Sequence, residues 1–243
     1  MAYVSNVLTH WIGRGKHSDE QYEILKEKIL KKKELMYNKC PWQFPAQKSN
    51  MPEGIMIPMI SFADIPFSES SSHCSKYSRF GISFCKSYLA SRLACPVGYI
   101  INPFIYDNYV VIQNALCKIK SMLPTATNQE IAVEYIDDVI NRFQYMMCFM
   151  ENYSKENFWS LSADRKWQTD YVGKSYFEDN TALYYEREWR MVLSDTAKAL
   201  LFNVERDGKT FFKYDEQYIK WIIVPRQYLE RLKIEQDDVF SEY

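Results

Sequence analysis

The N-terminal residues alternate in character: Val4, Asn6, Leu8, His10 and Ile12 fall on one side of an extended chain, which predicts a strand with an imidazole at its middle. Ser18 and Gln21 then make a capping-box pattern. Tyr22, Leu25, Ile29 and Met36 keep an apolar stripe through SDEQYEILKEKILKKKELM, which predicts one long helix. Residues 40–53 carry Pro41, Pro45 and Pro52 and read as a loop. Residues 55–62 read as a buried strand that stops at the turn ADIP. The polar SESSSHCSKYSRF predicts a surface loop with some helix. Residues 81–84 predict a short strand running into a helix at KSYLASRLA, and residues 96–101 a further strand.

Two longer helices are expected next. Tyr109, Ile112, Leu116, Ile119 and Leu123 recur at spacings of three and four. Thr127 and Glu130 form a second capping box. Ile131, Tyr135, Val139, Phe143, Met146 and Met150 then make a long amphipathic stripe, whose Met and aromatic members read as core packing and not as a cofactor box. The C-terminal third returns to strands at 184–193, 199–205, 210–214 and 218–224, before Pro225 and a closing helix at YLERL. Strands at both ends with helices between them predict an α+β fold with mixed or antiparallel sheets. The chain reads as a single domain over 1–243, with 102–166 as a helical insertion or subdomain within it.

Composition narrows the function classes. Apolar residues are 47% and charged residues 25% of the 243, with a formal net charge of -1. That balance fits a folded globular chain and argues against nucleic acid as a direct ligand, since neutralising phosphates calls for a basic excess. The lysines between 26 and 33 alternate with Glu23, Glu27 and Glu34 and read as a solvated helix face. Only 7 glycines are present, and P-loop, Gly-x-Gly-x-x-Gly and nucleophile-elbow patterns are absent. No run approaches the roughly 20 apolar residues of a membrane span, and MAYVSNVLTHWIG lacks the basic-then-apolar pattern of a signal peptide. The expectation is a cytoplasmic protein whose six widely spaced cysteines are reduced thiols. His73, Cys74, Cys85 and Cys95 show no paired ligand spacing, so no metal site is expected.

The densest cluster of reactive groups is YYEREWRMVL. A strand there puts Tyr184, Glu186, Glu188, Arg190 and Val192 on one face, with about 7 Å between alternate positions. Two carboxylates beside a guanidinium are suited to binding ribose hydroxyls, stabilising a cationic transition state or activating a nucleophile. They equally make a structural ion pair. His10 is the second candidate, against the alternative of a hydrogen-bonded structural histidine.

Several segments taken together resemble a known family. LTHWIGR, YEILKEKIL, PMISFADIPFSE, KYSRFGISFCKSYLA, PVGYI, YYEREWRMV and IKWIIVP follow in the order of the abortive phage-infection family AbiGi, an antitoxin family. The family pattern is an early His, a strand ending in Asp-Ile-Pro, YGxYGIxxxK before a helix, PVxY and EREWR. The most specific pieces here are Asp64-Ile65-Pro66, Tyr77 with Phe80-Gly81-Ile82, and residues 186–190. Ala63 and Ser78 depart from the motif Cys and Gly, and the helical middle is not matched. The resemblance implies bacterial phage defence in a two-gene system, acting through a cognate, toxin-like partner of nucleotidyltransferase type.

The chain also resembles ADP-ribosyltransferase-like folds in the order of His10, the strand end Ser61-Phe62 and the pair Glu186 and Glu188. That likeness implies NAD as a substrate. His10 would hold the NAD ribose, Glu188 stabilise the oxocarbenium ion, and Glu186 orient the acceptor. Phe62 or Tyr77 would stack on nicotinamide, with Ser61 and Arg190 completing the cofactor site. Three readings therefore stay open: a partner-binding defence protein, an NAD-cleaving enzyme, and a ligand-sensing module with a relic cleft. The placement of His10 relative to Glu188 separates them. Facing side chains across one cleft favour NAD chemistry, and a separation of two strand widths, about 10 Å, favours the non-catalytic readings.

Overall fold

The computed structural model describes residues 5–41, 56–100, 111–112, 115–116, 118–119, 121–122, 130–147, 149–152, 159–161, 167–169, 187–200 and 203–235. The strands are β1 (Val7–Trp11), β2 (Glu34–Met36), β3 (Asn38–Pro41), β4 (Met56–Ala63), β5 (Gly81–Cys85), β6 (Cys95–Pro96) and β7 (Gly98–Ile100). They continue as β8 (Met150–Asn152), β9 (Trp159–Leu161), β10 (Trp167–Thr169), β11 (Glu188–Val192), β12 (Asn203–Arg206), β13 (Lys209–Lys213) and β14 (Ile219–Ile223). The helices are α1 (Ser18–Glu23), α2 (Ser71–Lys76), α3 (Lys86–Ser91), α4 (Glu130–Met147), α5 (Asp195–Leu200) and α6 (Arg226–Ile234). The chain divides into two compact units, one of Met1–Cys40, Pro58–Pro96 and Glu186–Tyr243, the other of Pro41–Ile57 and Val97–Tyr185. Residues 102–166 fall inside the second.

The first unit is built on a seven-stranded sheet of order β14-β5-β1-β4-β11-β6, with β3 joined to β4. The pairings along this path are antiparallel. The fold is α+β, as the sequence pattern predicts. β1 and β5 are buried along most of their length because both of their faces are covered, so β5 carries the nearly unbroken apolar run GISFC. Leu8, Ile60, Phe62, Ile82, Phe84 and Met191 make the core face of the sheet. Tyr22, Leu25, Ile29, Leu89 and Tyr228 from the helices pack into the same core, as do Leu35 and Phe212 of the small sheet β12-β13-β2. Each such side chain contributes about 1.5–3 kcal/mol by leaving water.

The abundant tyrosines serve this packing. Tyr22 stacks on Tyr228 at 5.2 Å, and Phe80 meets Tyr228 edge-on at 5.1 Å. Tyr214 packs on Phe84 at 4.9 Å while its hydroxyl donates to the Ile29 carbonyl. Tyr88 stacks on Tyr218, and its hydroxyl accepts from the Asp215 amide. A ring with a polar tip fills the core and closes a loop together.

Three expectations are corrected here. The long helix does not run to Met36: α1 passes into π-helical turns over Ile24–Leu30, Lys33 takes a left-handed φ of 56°, and residues 34–36 become β2. Pairing of Leu35 with Phe212 wins over helix periodicity. The capping box at Ser18 does not form, because His17 is the cap residue and Gln21 donates to the Gly13 carbonyl. The segment read as a strand from 199 begins in α5, which the Ser194 hydroxyl caps at the Ala197 amide, and the strand starts at Asn203. The lysines of the 26–33 run meet acids: Lys26 pairs with Glu235 at 2.8 Å, Lys31 with Glu27 at 2.9 Å and Lys33 with Glu216 at 3.2 Å.

In the second unit, α4 leads into β8, which pairs in parallel with β7, and β9 pairs antiparallel with β10. Of the stripe read as core on α4, the described side chains stand in solvent, while those of Ile131, Phe143 and Met150 lie outside the described ones. Tyr135 is 70% exposed, Val139 and Met146 are exposed, and Ile140 is buried. Ile112 and Ile119 are exposed as well. Among the described residues no helix is long and apolar enough to cross a membrane.

Candidate functional site

The register of the central strands fixes which side chains can meet. Thr9 of β1 lies opposite Ala63 of β4, and Ala63 lies opposite Glu188 of β11. Paired residues of an antiparallel sheet project to the same face, and neighbours along a strand to opposite faces. Thr9, Ala63 and Glu188 therefore share one face, and so do Ser61 and its partner Arg190. His10, Phe62 and Trp189 belong to the other, which is the core face.

On the first face, Arg190 is buried and reaches back along its own strand to Glu188. Its Nε and Nη2 donate to the two carboxylate oxygens, both at 2.9 Å, in a bidentate fork. On the same face, at the β1–β5 seam, the buried Thr9 and Ser83 hydroxyls are bonded at 2.8 Å. The Trp11 indole N–H is buried on this face without a hydrogen-bond partner. Alternation thus placed Glu188 with Arg190 as expected. Glu186 lies outside the described residues.

On the core face, the His10 ring packs against Phe62 with centroids 5.8 Å apart. Its Nδ1 is 2.9 Å from the Ser61 carbonyl, which accepts when Nδ1 carries the proton. Burial pushes the imidazole below its ordinary 6.5, against the smaller upward pull of the Ser61 carbonyl. A neutral ring is thereby built into the β1–β4 seam. The Tyr77 ring sits under the Arg14 guanidinium at 5.1 Å, beside the chain leaving β1.

His10 and Glu188 consequently project from opposite faces of one sheet. β1 and β11 are also separated by β4, which makes two strand spacings, about 10 Å. The arrangement that NAD cleavage requires, a ribose-holding imidazole and an acid in one hollow, is not what this register gives. Ser61 contributes its carbonyl to His10, and Phe62 is a core residue rather than an open stacking surface.

The register instead brings together Asp64 and Arg187, motif residues that the sequence reading placed in no site, with Lys86. Asp64, the first residue of the Asp-Ile-Pro turn, is buried at the end of β4. Its Oδ2 accepts from Lys86 Nζ at 2.7 Å and from Arg187 Nη2 at 3.3 Å. Its Oδ1 is buried without a partner. The Asp64 amide donates to the Arg187 carbonyl at 3.0 Å, and Arg187 holds a left-handed φ of 42° just before β11. Lys86 also lies over the Trp189 ring at 5.5 Å. Asp64 comes from ADIP, Lys86 closes GISFCK, and Arg187 with Trp189 belongs to EREWR. Three motifs distant in sequence each place a charge at one corner of the sheet. The available signal was the spacing of Lys86 at the start of α3 and of Arg187 one residue before the Glu188 face.

This corner is an electrostatic clasp: two cations converge on one carboxylate oxygen, over an indole. Among the described residues no group of His, Cys, Asp and Glu is arranged to hold a metal ion. The described cysteines Cys74, Cys85 and Cys95 are free thiols. The Ser87 hydroxyl at 3.1 Å is the main influence holding the Cys85 thiol below its usual value.

Comparison with known proteins gives one match. A family model described as "Putative abortive phage resistance protein AbiGi, antitoxin" matches residues 51–225. No curated protein and no solved structure matches.

Proposed function

The chain belongs to the AbiGi family of abortive phage resistance antitoxins, and from that membership we propose that it acts as the antitoxin of a phage-defence pair by binding its cognate toxin directly. The observation that carries the reading is the match across residues 51–225, which takes in the Asp-Ile-Pro, GISFCK and EREWR segments that meet at the Asp64 clasp. The burial of Arg190 against Glu188 and of His10 against Phe62 supports a binding role over NAD cleavage, since each group serves packing on its own face. The toxin we propose is of nucleotidyltransferase type, as the sequence resemblance implies. Co-expression with the product of the adjacent gene tests the proposal. Restored growth and a complex that survives purification are expected. Undiminished toxicity with no complex would refute it.

A further inference from the structure

Helix α4 carries a stripe that the rest of the chain leaves in water. Tyr135, Val139, Arg142 and Met146 follow one another at spacings of four, three and four. At about 100° per residue they stay within about 60° of one another around the helix axis. Tyr135 is 70%, Val139 45% and Met146 44% exposed, and the Arg142 side chain is 77% exposed. Buried Ile140 points about 130° away from the middle of the stripe, so the helix is seated by its other side. Alternating steps of three and four are the spacing of a coiled-coil seam. A contiguous apolar stripe of this kind is a mark of an interaction surface.

The stripe is complementary to itself when a second copy runs antiparallel to it. With a two-fold axis midway between Val139 and Arg142, Tyr135 of one copy meets Met146 of the other, and Val139 meets Arg142. The first layer sets a thioether against an aromatic ring. In the second, the Arg142 methylenes lie on Val139 while the guanidinium reaches the solvent edge. Charge agrees with this register. Arg142 Nε donates to Asp138 Oδ2 of its own helix at 2.7 Å, and the Asp138 side chain is 53% exposed. In the antiparallel pair, Asp138 of the second copy lies about 1.5 Å along the axis from Arg142, so each guanidinium is placed between two carboxylates. A parallel pair would set Arg142 against Arg142. It would also align Glu130, Glu134, Asp137 and Asp138, all in the N-terminal half of α4, with their own copies.

We propose that the exposed stripe of α4 is a homodimer interface, along which two copies of this chain join antiparallel through Tyr135, Val139, Arg142 and Met146. The contact is isologous, each copy offering the same patch and closing the assembly at two. It requires no toxin and is independent of the antitoxin reading above.

Sedimentation of the purified full chain alone, at micromolar to submillimolar concentrations, tests the proposal. The parent chain is expected to be a dimer. Val139→Lys is expected to weaken self-association about 100-fold, because the dimer carries the change twice at its central layers. Its melting curve is expected to keep a cooperative transition, since the side chain faces solvent. Asp138→Arg and Arg142→Asp are each expected to weaken the dimer about tenfold, and the double exchange to return it to within about threefold of the parent. Leu229→Lys, similarly exposed but on α6 in the first unit, is expected to leave the dimer unchanged. A parent chain that stays monomeric over that range overturns the proposal, and so does a dimer that Val139→Lys leaves intact. A double exchange no stronger than the two single changes overturns the antiparallel register.

Discussion

Replacing Asp64 by Asn isolates the energetics of the clasp, because shape is kept and charge removed. The Asp64 side chain is 8% exposed and receives Lys86 at 2.7 Å and Arg187 at 3.3 Å. At an effective dielectric of about 20, attraction at such distances is about 5 kcal/mol per pair before desolvation is subtracted. Removing one member of a buried pair costs about 3–5 kcal/mol when the remaining charge stays dry. Lys86 and Arg187 retain solvent contact and rehydrate in part, which brings the expected loss to about 2 kcal/mol. The amide adds a mismatch of its own. Turned toward the cations, its N–H groups repel them; turned toward the Oδ1 position, they are buried where no acceptor stands. Chemical denaturation of the parent chain, Asp64→Asn, Lys86→Met and the double variant measures this as a cycle. A coupling of about 1–2 kcal/mol between the two positions is expected, with a fall in Tm of about 5 °C for Asp64→Asn. A loss below about 0.5 kcal/mol, or purely additive effects, would refute the clasp as an energetic feature.

Two further outcomes follow from the opposite faces of the sheet. Since burial lowers the His10 pKa, the folded chain binds its proton less readily than the unfolded chain does. The stability due to the neutral ring is complete above 6.5 and is lost as pH falls below it, so His10→Gln should flatten the pH dependence of unfolding below pH 6.5 while the parent chain weakens there. NMR titration of the ring checks the direction, and a midpoint at or above 6.5 would contradict it. Incubation with NAD should release no nicotinamide; release that Glu188→Gln abolishes would show that the two faces do not constrain the chemistry as argued.

Much of the fold was legible because local patterns and tertiary needs agree in it. Leu8 and His10 alternate inward in β1, with buried Ile12 just beyond its end, the apolar run GISFC is the doubly covered β5, and Pro225 separates β14 from α6. Local pattern failed where pairing partners lay far away. The stripe through Met36 was read as helix because nothing nearby announces Phe212, which draws Leu35 into a small sheet. The stripe on α4 was read as core because periodicity states which residues share a side and not what covers that side; Tyr135 stands in solvent. The same distinction governs the site. Period-two alternation correctly joined Glu188 to Arg190 within one strand. It could not say that β4 lies between β1 and β11, nor that His10 and Glu188 take opposite parity across it. The convergence of Asp64, Lys86 and Arg187 depends on strand order, which no single segment encodes.

The interleaving of the sheet also bears on how the protein is made. Strand β5 waits for β14, and β4 waits for β11, across the Val97–Tyr185 stretch of the second unit. Such distant partners make folding slow to nucleate and leave bare strand edges on the ribosome in the meantime. A message cut short after the second unit would yield a polypeptide without β11 and β14, leaving β4 and β5 each short of a partner and open to proteolysis.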